Sequence, residues 1–145
     1  MSRKEIERLL YDAPISEVTD YLLNCRDNEE LYVYAFNYNW ENGFEIPGII
    51  LNNPVCSFHT ALLIFWRAEG DGYLYNKAED KDLPEWSFFI AKLYNDIRRG
   101  KYPPDCFKFT VPLTKVQRYK LEKVIAEEDR LFLEDAQGTD LDIEI

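Results

Sequence analysis

Apolar residues recur three and four positions apart along most of this chain, and turn-forming residues cut the pattern into segments. Ile6, Leu9 and Leu10 share one face of Arg3 to Tyr11, which predicts an amphipathic helix closed by Pro14. Ser16 stands where it can cap a second helix, with Val18, Tyr21, Leu22 and Cys25 as its stripe. Asp27 or Asn28 can cap a third. Its first turn holds Glu29 and Glu30, where acids complement the helix dipole, and its stripe is Leu31, Tyr34, Ala35 and Tyr38. Asn42-Gly43 predicts a sharp turn, since glycine takes positive φ without steric cost. Pro47 suits the opening of a short helix through Ile49, Ile50 and Leu51, stopped by Asn53-Pro54.

Ser57 can cap a fifth helix running to Glu69. Phe58, Ala61, Leu62, Leu63, Ile64, Phe65 and Trp66 make it apolar nearly all round, which predicts a place at the centre of the domain. Gly70 and Gly72 are expected to end it. Asp82-Leu83-Pro84-Glu85 opens another helix with Trp86, Phe89, Ile90, Leu93 and Ile97 as its stripe, closed by Arg98, Arg99 and Gly100. Thr114 and Gln117 have capping-box spacing. They predict a last helix carrying Val116, Tyr119, Leu121, Val124 and Ile125, running on to Leu133 and ended by Gly138. Gly72 to Tyr75 and Cys106 to Val111 are short strand candidates. Asp140 to Ile145 alternates acid and aliphatic, as a strand or an extended tail would. The expected fold is all-α: six or seven amphipathic helices packed as a single domain over residues 1–138, at most short peripheral strands, and an acidic tail over 139–145.

A chain of 145 residues fits one domain, and a domain of this size buries roughly 68–70% of its unfolded surface. No apolar run approaches the roughly 18–20 residues of a membrane span; Ala61 to Trp66 is closed by Arg67. Met1 to Glu5 starts with charge and lacks the features of a secretory signal, so a cytoplasmic location is expected. Cys25, Cys56 and Cys106 are odd in number and far apart. Reduced, structural thiols are expected, not a disulfide framework or a zinc site.

Net charge changes the picture most. Of the total of −10, residues 122–145 carry −7, from nine acids against two bases. Direct contact with nucleic acid or an anionic membrane is disfavoured, because like charges repel. A basic protein partner is favoured. The candidate docking set is Glu127, Glu128, Asp129, Glu134, Asp135, Asp140, Asp142 and Glu144, weighed against a solubilising helix face and tail.

Candidate chemistry is sparse. His59, the single histidine, is read as a hydrogen-bonded ring at a helix edge; the alternative is a general base or metal ligand. Asn39, Trp40, Glu41, Gly43, Glu45 and Pro47 form a compact motif, read as structural. Its two carboxylates could otherwise serve as an acid–base pair, or its aromatics as anchors. Glu69-Gly70-Asp71-Gly72 lacks the ligand spacing of a calcium loop and is read as a helix-stop turn. No phosphate loop, dinucleotide fingerprint or zinc-protease motif occurs. A binding protein is expected, not an enzyme, with no cofactor and no metal.

The run Tyr38-Asn39-Trp40-Glu41-Asn42-Gly43-Phe44-Glu45-Ile46-Pro47, with Asn53-Pro54, Cys56 and Thr60-Ala61-Leu62 leading to Phe65, resembles the bacterial domain-of-unknown-function family 4274. The resemblance covers roughly residues 31–75 and implies no activity. The family pattern favours Asp where Glu41 stands and near Ser57, and no catalytic residue carries over. Small acidic proteins of this kind also resemble immunity proteins of toxin systems. Such likeness implies a toxin domain, basic and nuclease-like, as the partner. A stand-alone intracellular interaction module is the alternative.

Overall fold

Each apolar stripe finds a neighbouring helix to cover it, and the most apolar helix takes the middle. The computed structural model describes residues 3–145; Met1 and Ser2, at the head of the expected 1–138 domain, lie outside the described residues. The helices are α1 (Arg3–Tyr11), α2 (Ile15–Asn24), α3 (Asn28–Asn37), α4 (Glu45–Asn52), α5 (Phe58–Arg67), α6 (Gly70–Tyr75), α7 (Pro84–Arg98) and α8 (Lys115–Glu122). Two 3-10 segments, Trp40–Asn42 and Glu127–Leu133, join them. Among the described residues, β pairing is limited to isolated bridges of Phe107 with Thr139 and Phe109 with Ala136. The fold is all-α. No helix among the described residues is long and apolar enough to cross a membrane.

In α5, Thr60 to Trp66 are buried without a break. The helix packs between α3 and α7 and touches α6, while α2 packs on α4 and α1 on both α2 and α3. Each fully buried Leu, Ile or Phe, such as Leu62, Ile64 and Phe65 of α5, stabilises the fold by about 1.5–3 kcal/mol. Asp27 caps α3 by accepting from the Glu29 N–H, and Thr114 with Gln117 closes the capping box of α8, both as expected.

Five expectations are corrected. Ser16 does not cap α2. The Pro14 carbonyl accepts from the Glu17 and Val18 N–H groups, so the helix begins at Ile15 without a side-chain cap. Gly70 and Gly72 do not end the central helix. The helix ends at Arg67, short of the expected Glu69; Glu69 turns the chain in the left-handed region at φ 61°, ψ 43°, and Gly70 begins α6. Gly70 is required for close approach: an added Cβ would lie 2.2 Å from the Phe65 ring. The strand candidate Gly72 to Tyr75 is therefore helical, with Tyr73 and Leu74 buried.

The last helix does not reach Leu133. It stops at Glu122, with Leu121 as its buried residue and Val116, Tyr119 and Val124 exposed. The chain turns around the Leu121 carbonyl, and Ala126 goes extended. The break brings Phe132 against Phe65 and Tyr94, at ring separations of 4.6 and 5.3 Å. Finally, Cys106 is exposed, whereas Cys25 and Cys56 are buried; burial pushes the Cys56 thiol up to about 12.

Residues 139–145 lie against the body. Thr139 exchanges main-chain hydrogen bonds with Cys106 and Lys108 at 2.7 and 2.8 Å. Asn37 of α3 donates to the Ile143 carbonyl at 2.7 Å. Leu141, Ile143 and Ile145 pack on the core, and the alternating Asp140, Asp142 and Glu144 are exposed. The period of two thus serves a docked, extended strap.

Candidate functional site

The Asn39–Pro47 motif builds one wall of a groove. Asn39 caps the 3-10 turn by accepting from the Glu41 N–H at 3.0 Å. Gly43 sits at φ 91°, a conformation other residues rarely adopt, and its carbonyl accepts from the Tyr38 hydroxyl at 2.8 Å. Trp40 packs edge-on against Tyr38 and Phe44, at 5.5 and 6.3 Å. The loop hands Phe44 to α7, where its ring stacks on Phe89 at 4.7 Å. Glu45 opens α4 with an exposed carboxylate, and Pro47 is buried in the first turn.

The result is a groove of about 350 Å³ between α4 and α7, bordered by Phe44, Gly48, Leu51, Phe88, Phe89 and Leu93. Glu45 and Glu85 stand on its rim, exposed and without an ion pair among the described residues. Lys92, also on the rim, is bound to Asp96 at 2.8 Å. A second, more polar hollow of about 610 Å³ adjoins the start of α7 and is bordered by Glu69, Asp71, Glu79, Asp80 and Trp86.

Buried acids are matched internally. Asp96, nearly buried, meets Lys92, Arg99 and Lys101. Burial pushes its carboxyl up, but the Lys92 and Arg99 hydrogen bonds outweigh burial and hold it below the ordinary range. Asp129, fully buried, accepts from Lys77 and the Tyr94 hydroxyl. Burial pushes the Lys77 ammonium down, and its bond to Asp129 more than restores it.

The C-terminal docking set is thereby divided. Asp129 faces inward and cannot meet a partner. Glu127 pairs with Arg130 at 2.8 Å, Asp135 with Arg118 at 3.4 Å and Asp142 with Arg3 at 3.1 Å. Glu128, Glu134, Asp140 and Glu144 are exposed and make no ion pair among the described residues.

His59 belongs to a different cluster from Glu41 and Glu45. Its Nδ1 meets the Asp105 carboxylate at 2.6 Å, and its ring stacks on Phe109 at 5.3 Å. The other Asp105 oxygen accepts from the His59 main-chain N–H at 2.9 Å, and the Pro103 carbonyl accepts from Phe58 N–H at 2.8 Å. Asp105 therefore caps α5 from a distant loop. The Ser57 hydroxyl leans on the same carboxylate without reaching hydrogen-bond geometry. Burial pushes Asp105 up, but the two His59 contacts and the Phe107 N–H hold it below the ordinary carboxylate range. His59 is a hydrogen-bonded ring at the helix edge. No group of three or more His, Cys, Asp or Glu among the described residues is placed to hold a metal ion.

Residues 26–98 match the family model described as domain of unknown function (DUF4274), half of the chain. The chain belongs to this family. The DUF4274 segment runs from the residue before the α3 cap to the end of α7, so it contains every border residue of the α4–α7 groove except Tyr102. The C-terminal carboxylates lie outside it. No curated protein and no solved structure matches the chain.

Phe88 and Asp105 are residues that the sequence pattern left unmarked, and Glu85 was read only as part of the opening of a helix. Phe88 carried a signal: it falls on the opposite side of α7 from Ile90, out of phase with the stripe of Trp86, Phe89, Leu93 and Ile97. Asp105 carried none, because its contact with α5 spans 46 positions.

Proposed function

We propose that this chain is an immunity-type protein that binds and neutralises a cognate, basic, nuclease-like bacterial toxin domain, acting by recognition and not by catalysis. The observation that carries this function is the charge left over after internal pairing. Asp96, Asp105 and Asp129 are satisfied inside, while Glu128, Glu134, Asp140 and Glu144, together with Glu45 and Glu85, face outward without an ion pair among the described residues. A nuclease surface must be basic where it meets phosphate, and such carboxylates suit the same cations. They would also speed encounter with the partner.

Co-expression with the product of the neighbouring gene is the test. Neutralisation of that product's toxicity and recovery of a 1:1 complex are expected. A neighbour that neither binds nor is neutralised would replace this function with that of a stand-alone interaction module.

A further inference from the structure

We propose that the hollow between the α1–α2 turn and the Asn39–Pro47 motif is a small-molecule site, and that its ligand is an organic ammonium with an apolar body. The proposal does not rest on the function above. The hollow measures about 390 Å³, within the roughly 300–1,000 Å³ of small-molecule pockets. Leu9 of α1, Val18 of α2 and Ile46 of α4 give it buried apolar walls, while Tyr11 and Ile15 border it and are exposed.

Several polar groups around the hollow are already used by the fold. The Tyr38 hydroxyl donates to the Gly43 carbonyl at 2.8 Å, and the Asn39 amide oxygen accepts from the Glu41 N–H at 3.0 Å. The Asn37 amide donates to the Val33 and Ile143 carbonyls at 2.9 and 2.7 Å. The Tyr34 hydroxyl, the Asn42 side-chain amide and the Glu45 carboxylate make no hydrogen bond among the described residues. Tyr34 decides the matter. Only 3% of it is exposed, yet its hydroxyl oxygen reaches open space, unlike the sealed ring N–H groups of Trp40 and Trp66. A buried phenol that meets no protein group but borders a hollow marks a place for a hydrogen-bonding ligand. Burial pushes this phenol up to about 12, so it stays neutral and can accept.

The chemistry of the ligand follows from charge. Among the described residues, Glu45 is the only charged one on the border. Arg8, which ties α1 to α2, is shared by Glu5 and Glu17 and brings no surplus positive charge. An anion would be repelled by Glu45, and a neutral ligand would leave its charge unmatched. An ammonium supplies three donors, which suit the Glu45 carboxylate, the Asn42 amide oxygen and the Tyr34 hydroxyl, while the apolar walls take the ligand's body.

The probes are phenethylamine, its neutral counterpart phenethyl alcohol and the anion hydrocinnamate, titrated at neutral pH and followed by amide shifts. The amine is expected to bind best, by about threefold or more over the alcohol, with shifts centred on Leu9, Val18, Tyr34 and Ile46. Tyr34→Phe deletes an unpartnered hydroxyl and is expected to weaken the amine by about threefold without lowering Tm. Glu45→Gln is expected to abolish the preference for amine over alcohol. Glu85→Gln, at a residue that does not border the hollow, is expected to leave it unchanged. Equal affinity for the three probes, no loss in either Tyr34→Phe or Glu45→Gln, or shifts centred on Phe88, Phe89 and Leu93 of the α4–α7 groove overturns the proposal. So does the absence of any shift at millimolar probe.

Discussion

Asp105 holds the start of the central helix from outside it. Asp105→Ala removes the ring partner of His59 and the acceptor for its main-chain N–H, and is expected to lower stability by about 2 kcal/mol in urea unfolding. Ser57→Ala loses a hydroxyl that makes no capping bond, and is expected to cost at most about 1 kcal/mol. The contribution of Asp105 also has a pH signature. Its folded carboxyl is held below its unfolded value of about 4, so the unfolded chain binds more protons in that window. Stability is full above pH 4 and is lost as pH falls through the depressed folded value. The gap between wild type and Asp105→Ala should therefore close in acid. Sequence reading placed His59 at a helix edge but could not find its partner, because a cap supplied from another loop leaves no local spacing.

Helix α6 shows how one glycine decides where an element turns. Gly70→Ala drives a methyl into the Phe65 ring and is expected to cost about 1–3 kcal/mol, whereas Gly72→Ala meets open space and is expected to be neutral or to stabilise by about 0.5–1 kcal/mol. Thermal melts of the two variants separate close approach from backbone freedom. The second 3-10 segment depends on Asp129. Asp129→Ala strands Lys77 and the Tyr94 hydroxyl, and is expected to cost about 3 kcal/mol and to speed amide exchange across Glu127–Leu133. Most helices were legible, since apolar spacing and caps such as Asp27 and Thr114 act locally. Those that were not are α6, set by the close approach of Gly70 to Phe65 and the distant packing of Tyr73 on Tyr94, and the break after Glu122, set by the distant packing of Phe132 on Phe65 and Tyr94.

On the scale of the whole molecule, the net charge of −10 becomes a surface with a particular distribution. Sequence counting located an acidic end but could not tell Asp129, turned inward, from Asp140, turned outward. Nor could it see that Arg3, Arg118 and Arg130 neutralise three of its acids. Glu45, placed by the motif, and Glu85, on the first turn of α7, are exposed beside the α4–α7 groove, whose rim also holds Lys92. Reversing the strap, Asp140→Lys with Asp142→Lys, is expected to slow association with a basic partner and weaken its salt sensitivity. Stopped-flow mixing at two salt concentrations checks this effect. Calorimetric titration of the purified chain with the product of the neighbouring gene, at about 0.05 and 0.5 M salt, tests the proposed function most directly. A 1:1 complex whose affinity falls steeply with salt is the predicted result; no binding, or an affinity indifferent to salt, would contradict it.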